Sequence, residues 1–395
     1  MKTLTIDECF YQIRNGANIK QGVEEGGYPI TRIETIANGR FNRERMGYAG
    51  IIDLGKYESY LLEDGDLLMS HINSIQYLGR TVLYKRQGDE KIIHGMNLLG
   101  LKADKKLILP EYAKYYFCSS PFRKQISKIT KKSVNQASFA VTDLKKVTLE
   151  LPALFEQECI ANTLNKINKV IYKYQQQLQK LDELIKSRFV ELFGTIHDNR
   201  FGYSVVTLQD VSAPIKDGTH QTPTYTTDVE NGYKFLSSKD VTTGKVDWSH
   251  LKYIPEELHR ELYARISPRE GDILLAKNGT TGIAAIVDRD EVFDIYVSLA
   301  LIRPHGVDPT YLWAAINAAE TKQQFDASLK GIGVPNLHLG EIKKARIILP
   351  PMELQRQFAA FVEQVGKSKL LEWINFAEKH FKLLQARICD GRQFI

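Results

Sequence analysis

Two loops in the second half of the chain concentrate side chains able to do chemistry. "KDGTHQTPTY" from Lys216 and "AKNGTTG" from Ala276 mix glycine with short hydroxyl, amide, imidazole and ammonium groups. Glycine lets backbone amides approach a ligand closely, and side chains of these types reach phosphate oxygens or base edges. The candidates there are Lys216, Thr219, His220, Gln221, Thr222, Lys277, Asn278, Thr280 and Thr281, with Lys330 and Asn336 farther along. The first half offers "RNGANIKQG" from Arg14, with Arg14, Asn18 and Lys20, and "SHINSIQ" from Ser70, with His71, Asn73 and Ser74. "RKQISKITKKSVNQAS" from Arg123 carries five basic residues and no acid, and contributes Lys131, Lys132, Asn135 and Gln136. Such a run suits phosphate contact. Any one of these loops alone reads better as a solvated stretch of turn formers. Their recurrence at matched places in both halves favours binding, with DNA as the ligand.

Motifs for catalysis are missing by comparison. "TTGKV" at Thr242 lacks the upstream glycine and the following Ser or Thr of a phosphate-binding loop. No His-Glu-x-x-His helix, Gly-x-Ser-x-Gly elbow or Asn-Pro-Pro-aromatic loop occurs, and the histidines are scattered singly. Asp143-Leu144-Lys145 and Glu341-Ile342-Lys343 have the acid-x-Lys spacing with which nucleases hold a metal ion and a lysine near the scissile phosphate. Neither is preceded by a Pro-Asp turn on a strand, so a structural role is expected and no catalytic residue or metal site is assigned.

Those loops need a frame, and the frame is written twice. "LTIDECFYQIRNG" from Leu4 answers "VTLQDVSAPIKDG" from Val206; "GYPITRIETIANG" answers "GYKFLSSKDVTTG"; "EDGDLLMS" answers "REGDILLA". "PEYAKYY" at Pro110 answers "PTYLWAA" at Pro309, and "DLKKVTLELP" answers "EIKKARIILP". An ordered series along the whole chain is the signature of internal duplication. Within each copy, short β-type runs bounded by Gly, Asn and Asp precede a helix opening on Pro-x-Tyr, then a final β-like run closed by proline.

After that proline the period changes. Ile160, Leu164, Ile167, Ile171, Tyr174, Leu178, Leu181 and Ile185 alternate at four and three, an a/d seam predicting a helix over about 158–192, on the order of 50 Å long. The second copy shifts phase near Gly366 and resumes at Leu370, Ile374, Phe381, Leu384 and Ile388. Two long helices with one apolar stripe each are expected to pack on each other. Each is introduced by the same Leu-Pro and a Gln, in "LPALFEQECIANTLNKI" from Leu151 and "LPPMELQRQFAAFVEQV" from Leu349.

The bulk properties set limits. A chain of 395 residues accommodates two or three domains, and 43% hydrophobic with 25% charged residues is ordinary for a globular protein. No apolar run reaches the length of a membrane span and no signal-peptide layout opens the chain, so a cytoplasmic location is expected. Cys9, Cys118, Cys159 and Cys389 form no Cys-x-x-Cys pair and are expected to be reduced, mostly buried thiols. A net charge of +6 is compatible with an anionic partner without requiring one.

The "GDLL/GDIL" element, "DGTHQTP", "NGTTG" and the "LP" to "Q" start of each long helix resemble the DNA-specificity subunits of type I restriction-modification enzymes, over essentially the whole chain. The resemblance implies an α+β fold: two mixed α/β target recognition domains related by pseudo-two-fold symmetry, joined by two long helices forming an antiparallel coiled coil. It places recognition domains at 1–152 and 194–350 and conserved spacer helices at 153–193 and 351–395. It further implies a non-catalytic chain that binds double-stranded DNA at a bipartite site. Methylation subunits, expected as two, would carry S-adenosylmethionine, and restriction or motor subunits ATP and magnesium, with no cofactor in this chain. The sequence departs from the pattern at Leu354-Gln355, where the first copy has Glu156-Gln157, and "SHINSIQ" offers no clear counterpart to "NGTTG". A coiled-coil scaffold that never touches DNA, or a stand-alone nuclease or methyltransferase, stays open on the residues alone.

Overall fold

The computed structural model describes residues 2–22, 26–133, 136–329 and 335–366. Each half of the chain is closed by pairing its first strand with its last. Lys2–Thr5 runs antiparallel to Thr148–Leu151, with Lys2 opposite Leu151; Ser204–Thr207 runs antiparallel to Arg346–Leu349, with Ser204 opposite Leu349. Matching local devices support the two first strands: the Thr5 amide donates to the Glu8 carboxylate at 2.7 Å and the Thr207 amide to Asp210 at 2.8 Å.

Behind each closing pair lies a four-stranded antiparallel sheet of the same order. In the first half it is Phe10–Asn15, Leu99–Ala103, Leu67–Met69, Thr81–Leu83; in the second, Lys216–Asp217, Leu299–Ile302, Ile273–Ala276, Ala284–Ile286. The strands Leu67–Met69 and Ile273–Ala276 are buried on both faces, so alternate residues serve different cores. Leu67 and Met69 join a cluster with Phe10, Phe117 and Phe122, while Leu68 joins Ile36, Tyr84 and Ile92. Ile273 and Leu275 likewise pack with Tyr311 and Phe325, while Leu274 and Ala276 face Leu236, Phe293 and Ile295.

The repeated Gly-Asp element is the turn that launches these inner strands. Gly65 and Gly271 adopt φ of 96° and 85°, which side chains resist. The following aspartates accept from the backbone three residues upstream, Asp66 from Glu63 N at 2.8 Å and Asp272 from Arg269 N at 3.0 Å. Each also pairs with a cation on the neighbouring strand: Lys102 at 3.3 Å from Asp66, and Arg303 in a two-pronged contact of 2.8 and 2.7 Å with Asp272.

The Leu-Pro to Gln motif is a clip. Gln157, fully buried, accepts from Leu109 N at 2.9 Å and donates to the carbonyls of Leu107 and Pro152 at 3.0 Å each. Gln355 repeats the arrangement, accepting from Asp308 N at 2.9 Å and donating to Pro350 O at 2.8 Å. Leu109 and Asp308 are the capping residues of the Pro-x-Tyr helices Pro110–Tyr116 and Pro309–Ile316. One side chain thus ties the start of the long helix to the start of another. In the first copy Glu156 adds a bond from Ala153 N at 2.9 Å; in the second, Leu354 packs against the apolar core instead.

The long helix spans Leu154–Phe193, four residues longer at its start than the apolar seam predicts, and about 60 Å at 1.5 Å per residue. It ends at Gly194, whose φ of 73° and bond from its amide to Val190 O at 2.8 Å make a left-handed cap. Leu164 and Ile171 are buried, and Ile160, Ile167, Tyr174, Leu178, Leu181 and Ile185 are half-buried among exposed neighbours. Division of the chain into two compact units falls inside this helix, between Gln175 and Gln176. In the first unit Ile160 and Ala161 pack on the core, and Tyr115 bonds Asn165 and Asn168 at 2.7 and 2.9 Å. In the second, Phe189 and Phe193 meet Tyr311 and Phe358 at ring distances of 5.0 to 5.8 Å. The helix that follows the second closing pair is described over Met352–Gly366; Leu370, Ile374, Phe381, Leu384 and Ile388 lie outside the described residues. The thiols are less buried than expected: Cys9 is buried, but Cys118, in the turn between Pro110–Tyr116 and the helix Ser120–Ile129, and Cys159, on the long helix, are exposed, and Cys389 lies outside the described residues.

Candidate nucleic-acid interface

In each half three chain segments meet at one end of the four-stranded sheet. The first follows the sheet's outer strand: residues 14–20 in the first half and 216–222 in the second. Its approach is tight. A Cβ on Gly16 would lie 2.3 Å from His94 O, and one on Gly218 would lie 1.9 Å from Ile295 O, so only glycine fits either position. The second segment is the hairpin loop after the Gly-Asp strand, and the third crosses that loop just before the last short helix. Phe139 N donates to His71 O at 3.2 Å, and Leu337 N to Lys277 O at 2.8 Å. Gly79 N donates to Ser70 O and Gly282 N to Ala276 O, both at 2.8 Å. The loops containing "SHINSIQ" and "NGTTG", unmatched as sequences, are therefore equivalent in their backbone bonding.

The second-half site is organised around Asp217. Lys277 Nζ lies 2.9 Å and His220 Nε2 3.2 Å from the same carboxylate oxygen. Burial alone would raise the Asp217 pKa, but the bonds and charges of Lys277 and His220 outweigh it and hold the carboxyl below its ordinary value. Arg265 donates to the carbonyls of Asp217 and Gly218 at 2.8 and 2.7 Å, and Lys216 Nζ donates to Arg265 O at 3.2 Å. Lys277, expected among the DNA-contacting residues, is buried and ion-paired, its charge engaged by Asp217. Thr219 is also buried, its hydroxyl accepting from Gln221 N at 3.3 Å, and so shapes the turn rather than facing outward. His220, Gln221, Thr222 and Thr280 are exposed, Lys216 likewise, and Thr281 is half-buried. Asn278 and Asn336 form an isolated backbone bridge, each half-buried with a side-chain oxygen that has no hydrogen-bond partner among the described residues. Lys330 lies outside the described residues.

The first-half site is built differently. Arg14 is half-buried, its guanidinium bonded to Ser59 O and stacked 4.2 Å from the Tyr60 ring centre, so it braces the loop instead of standing free. His71 is buried beside Phe139, and burial lowers its pKa; as with Lys277, the expected contact role gives way to packing under the loop. Asn73 accepts from Ser74 N at 2.8 Å and donates to Ser70 Oγ at 3.2 Å, which sets the start of the turn Ile75–Tyr77. Asn18, Lys20, Lys131, Lys132 and Gln136 are exposed, and Asn135 lies outside the described residues. Lys131–Lys132 pairs with Ala137–Ser138, which pairs in turn with Ile72–Asn73, so the basic run is an edge of the same site.

Sequence reasoning missed Asp217 and Arg265, the groups that hold the second site together; only the position of Asp217 beside Lys216 signalled it. The acid-x-Lys triplets are structural. Leu144 and Ile342 are fully buried at their centres, Lys145 pairs with Asp7 at 2.9 Å, and Glu341 with Lys344 at 3.5 Å.

The sequence profile of the type I restriction modification DNA specificity domain matches twice, over residues 2–184 and 202–375. The chain belongs to that family. Each match of the DNA specificity domain runs from the first closing strand of a half into the helix beyond its Gln clip, so the two domains coincide with the two copies of the fold. A Methanocaldococcus jannaschii protein named as the type I restriction enzyme MjaX specificity subunit is 37% identical over 181 residues, 46% of this chain and 42% of the relative. The Escherichia coli type I restriction enzyme EcoBI specificity subunit is 25% identical over 293 residues, 67% of this chain and 60% of the relative. Each alignment thus spans less than two thirds of the curated relative's own length. The crystal structure of a type I restriction-modification S subunit from M. genitalium superposes with a TM-score of 0.52 at 13% identity, covering 99% of this chain and 96% of that one, a likeness of fold. No helix among the described residues is long and apolar enough to cross a membrane.

Proposed function

We propose that the chain is the non-catalytic DNA-reading subunit of a type I restriction-modification complex. Each half reads one part of a bipartite double-stranded site through its three convergent segments. The single observation that carries this reading is the recurrence, in one chain, of the same convergence of loops, with exposed Lys and Gln side chains in both halves. Exposed Lys20, Lys131, Lys132 and Lys216 contact phosphates, which positions the protein, while His220, Gln221, Thr280 and the exposed amides face base edges, which specify sequence. Lys277, Thr219, Arg14 and His71 act beneath them by fixing loop shape.

The helix Leu154–Phe193 and the apolar positions from Leu370 to Ile388 form an antiparallel coiled coil that sets the separation of the half-sites. Constant rise per residue makes a helix a better ruler than a flexible linker. Two methylation subunits dock on the chain and hold S-adenosylmethionine; restriction subunits use ATP and magnesium; the complex works in the cytoplasm. The test is binding of the full chain with its partner subunits to specific and random duplexes across a salt series. A DNA reader shows a steep salt dependence and prefers the specific duplex. Equal, weak and salt-insensitive binding to both would indicate a scaffold, and cleavage or methyl transfer by the isolated chain would indicate an enzyme.

A further inference from the structure

The hairpin loops that are equivalent in backbone bonding differ in surface chemistry. In the second half the loop is "KNGTTG", whose exposed positions are polar. In the first half it carries three large apolar side chains in water: Ile72 at 39% exposure, Ile75 at 60% and Tyr77 at 39%. Exposed apolar side chains grouped on one loop commonly mark a binding surface. The loop is also held in place. The Tyr77 amide donates to Ser74 O at 2.9 Å, the Ser74 amide donates to the Asn73 side-chain oxygen at 2.8 Å, and the Arg80 guanidinium stacks 4.3 Å from the centre of the Tyr77 ring.

What covers the loop is indicated by its neighbours. Ile72 lies opposite Ser138, and Ser138 lies opposite Lys131, so these three side chains share one face of the three-stranded ribbon. Neither residues 70–80 nor 131–138 contain an acid. An apolar projection flanked by Arg80 and Lys131 and bare of carboxylates complements a polyanion that also offers apolar spots. Duplex DNA has such spots in the major groove, the 5-methyl groups of thymine, and apolar side chains recognise them.

We infer that the first half reads thymine methyl groups with Ile72, Ile75 and Tyr77, while Arg80 and Lys131 seat the loop on flanking phosphates. The two halves then use different chemistry on one scaffold, apolar contact in the first and hydrogen bonding in the second. This inference rests on the DNA-reading role proposed above.

The test replaces thymidine by deoxyuridine, which deletes only the methyl group, in one half-site at a time. The protein is the full chain with its partner subunits, wild type and the Ile75→Ala/Tyr77→Ala double variant, with thermal unfolding as a check on folding. Wild type is expected to lose affinity about fourfold per contacted methyl in one half-site only. The double variant is expected to bind thymidine and deoxyuridine duplexes alike there, while its response to changes in the other half-site is unaltered. Three outcomes overturn the inference: no deoxyuridine effect on wild type in either half-site, an undiminished effect in the variant, or a folded variant that no longer assembles with its partners. The last would make the loop a protein-docking surface. Failure of wild type to prefer its specific duplex over random DNA would instead remove the DNA-reading role itself.

Discussion

Replacing Gln157 with Leu removes the clip while keeping an apolar volume at its site. The substitution strands three backbone groups: the Leu109 amide and the carbonyls of Leu107 and Pro152, bonded at 2.9, 3.0 and 3.0 Å in the native protein. A buried backbone group that loses its partner costs about 1 kcal/mol or more, so the three together amount to roughly 3 to 5 kcal/mol. Gln355→Leu strands two, the Asp308 amide and the Pro350 carbonyl, and should cost roughly 2 to 3 kcal/mol by the same reasoning. A chain of two compact units need not unfold in one transition, so the local readout is hydrogen exchange. Exchange at Leu109 should accelerate by about two orders of magnitude in Gln157→Leu with Asp308 unaffected, and the converse in Gln355→Leu. A stability change under about 1 kcal/mol, or native-like protection at Leu109, would refute the assignment of the clip as a structural joint.

Glu90 gives the first half an acid-sensitive element. The hydrogen bonds from Arg43, at 2.5 and 2.8 Å, lead the causes that hold its pKa down at about 2. Its stabilisation is therefore complete above the unfolded carboxylate pKa and is lost as pH falls toward 2. Glu90→Gln should destabilise by about 1 to 2 kcal/mol at pH 7, allowing for partial exposure, and acid titration followed by tryptophan-independent circular dichroism should show the gap from wild type closing below about pH 4. Replacing Lys131 and Lys132 with Ala should weaken binding to every duplex and reduce the salt slope by roughly 0.9 per lysine that contacts a phosphate, measured by fluorescence anisotropy. His220→Ala should change preference within the second half-site in a mismatch series; a uniform loss would move His220 to the phosphate-contacting set.

Features that demand one residue type were legible in the sequence. Gly65 and Gly271 are required by a left-handed turn, and Asp66 and Asp272 by the bonds that close it, so "GD" survives in both copies. Gln157 and Gln355 survive because one amide must both accept and donate within a buried joint. The loops were less legible because their equivalence resides in backbone bonds, which "SHINSIQ" and "NGTTG" make with unrelated side chains. The ion pair of Lys277 was not legible because its partner Asp217 lies 60 residues away. The long helix begins before its seam because the clip at Gln157, and not apolar periodicity, fixes its first turn.

In the proposed function two reading heads are held at a set distance by helix. Inserting one heptad between Leu164 and Leu181 lengthens the helix by about 10 Å, roughly three base pairs of duplex. Methylome sequencing of cells expressing the full system with this variant measures the consequence directly. Both half-sites should be unchanged and the spacer between them altered. Changed half-sites with an unaltered spacer would contradict this role of the helix.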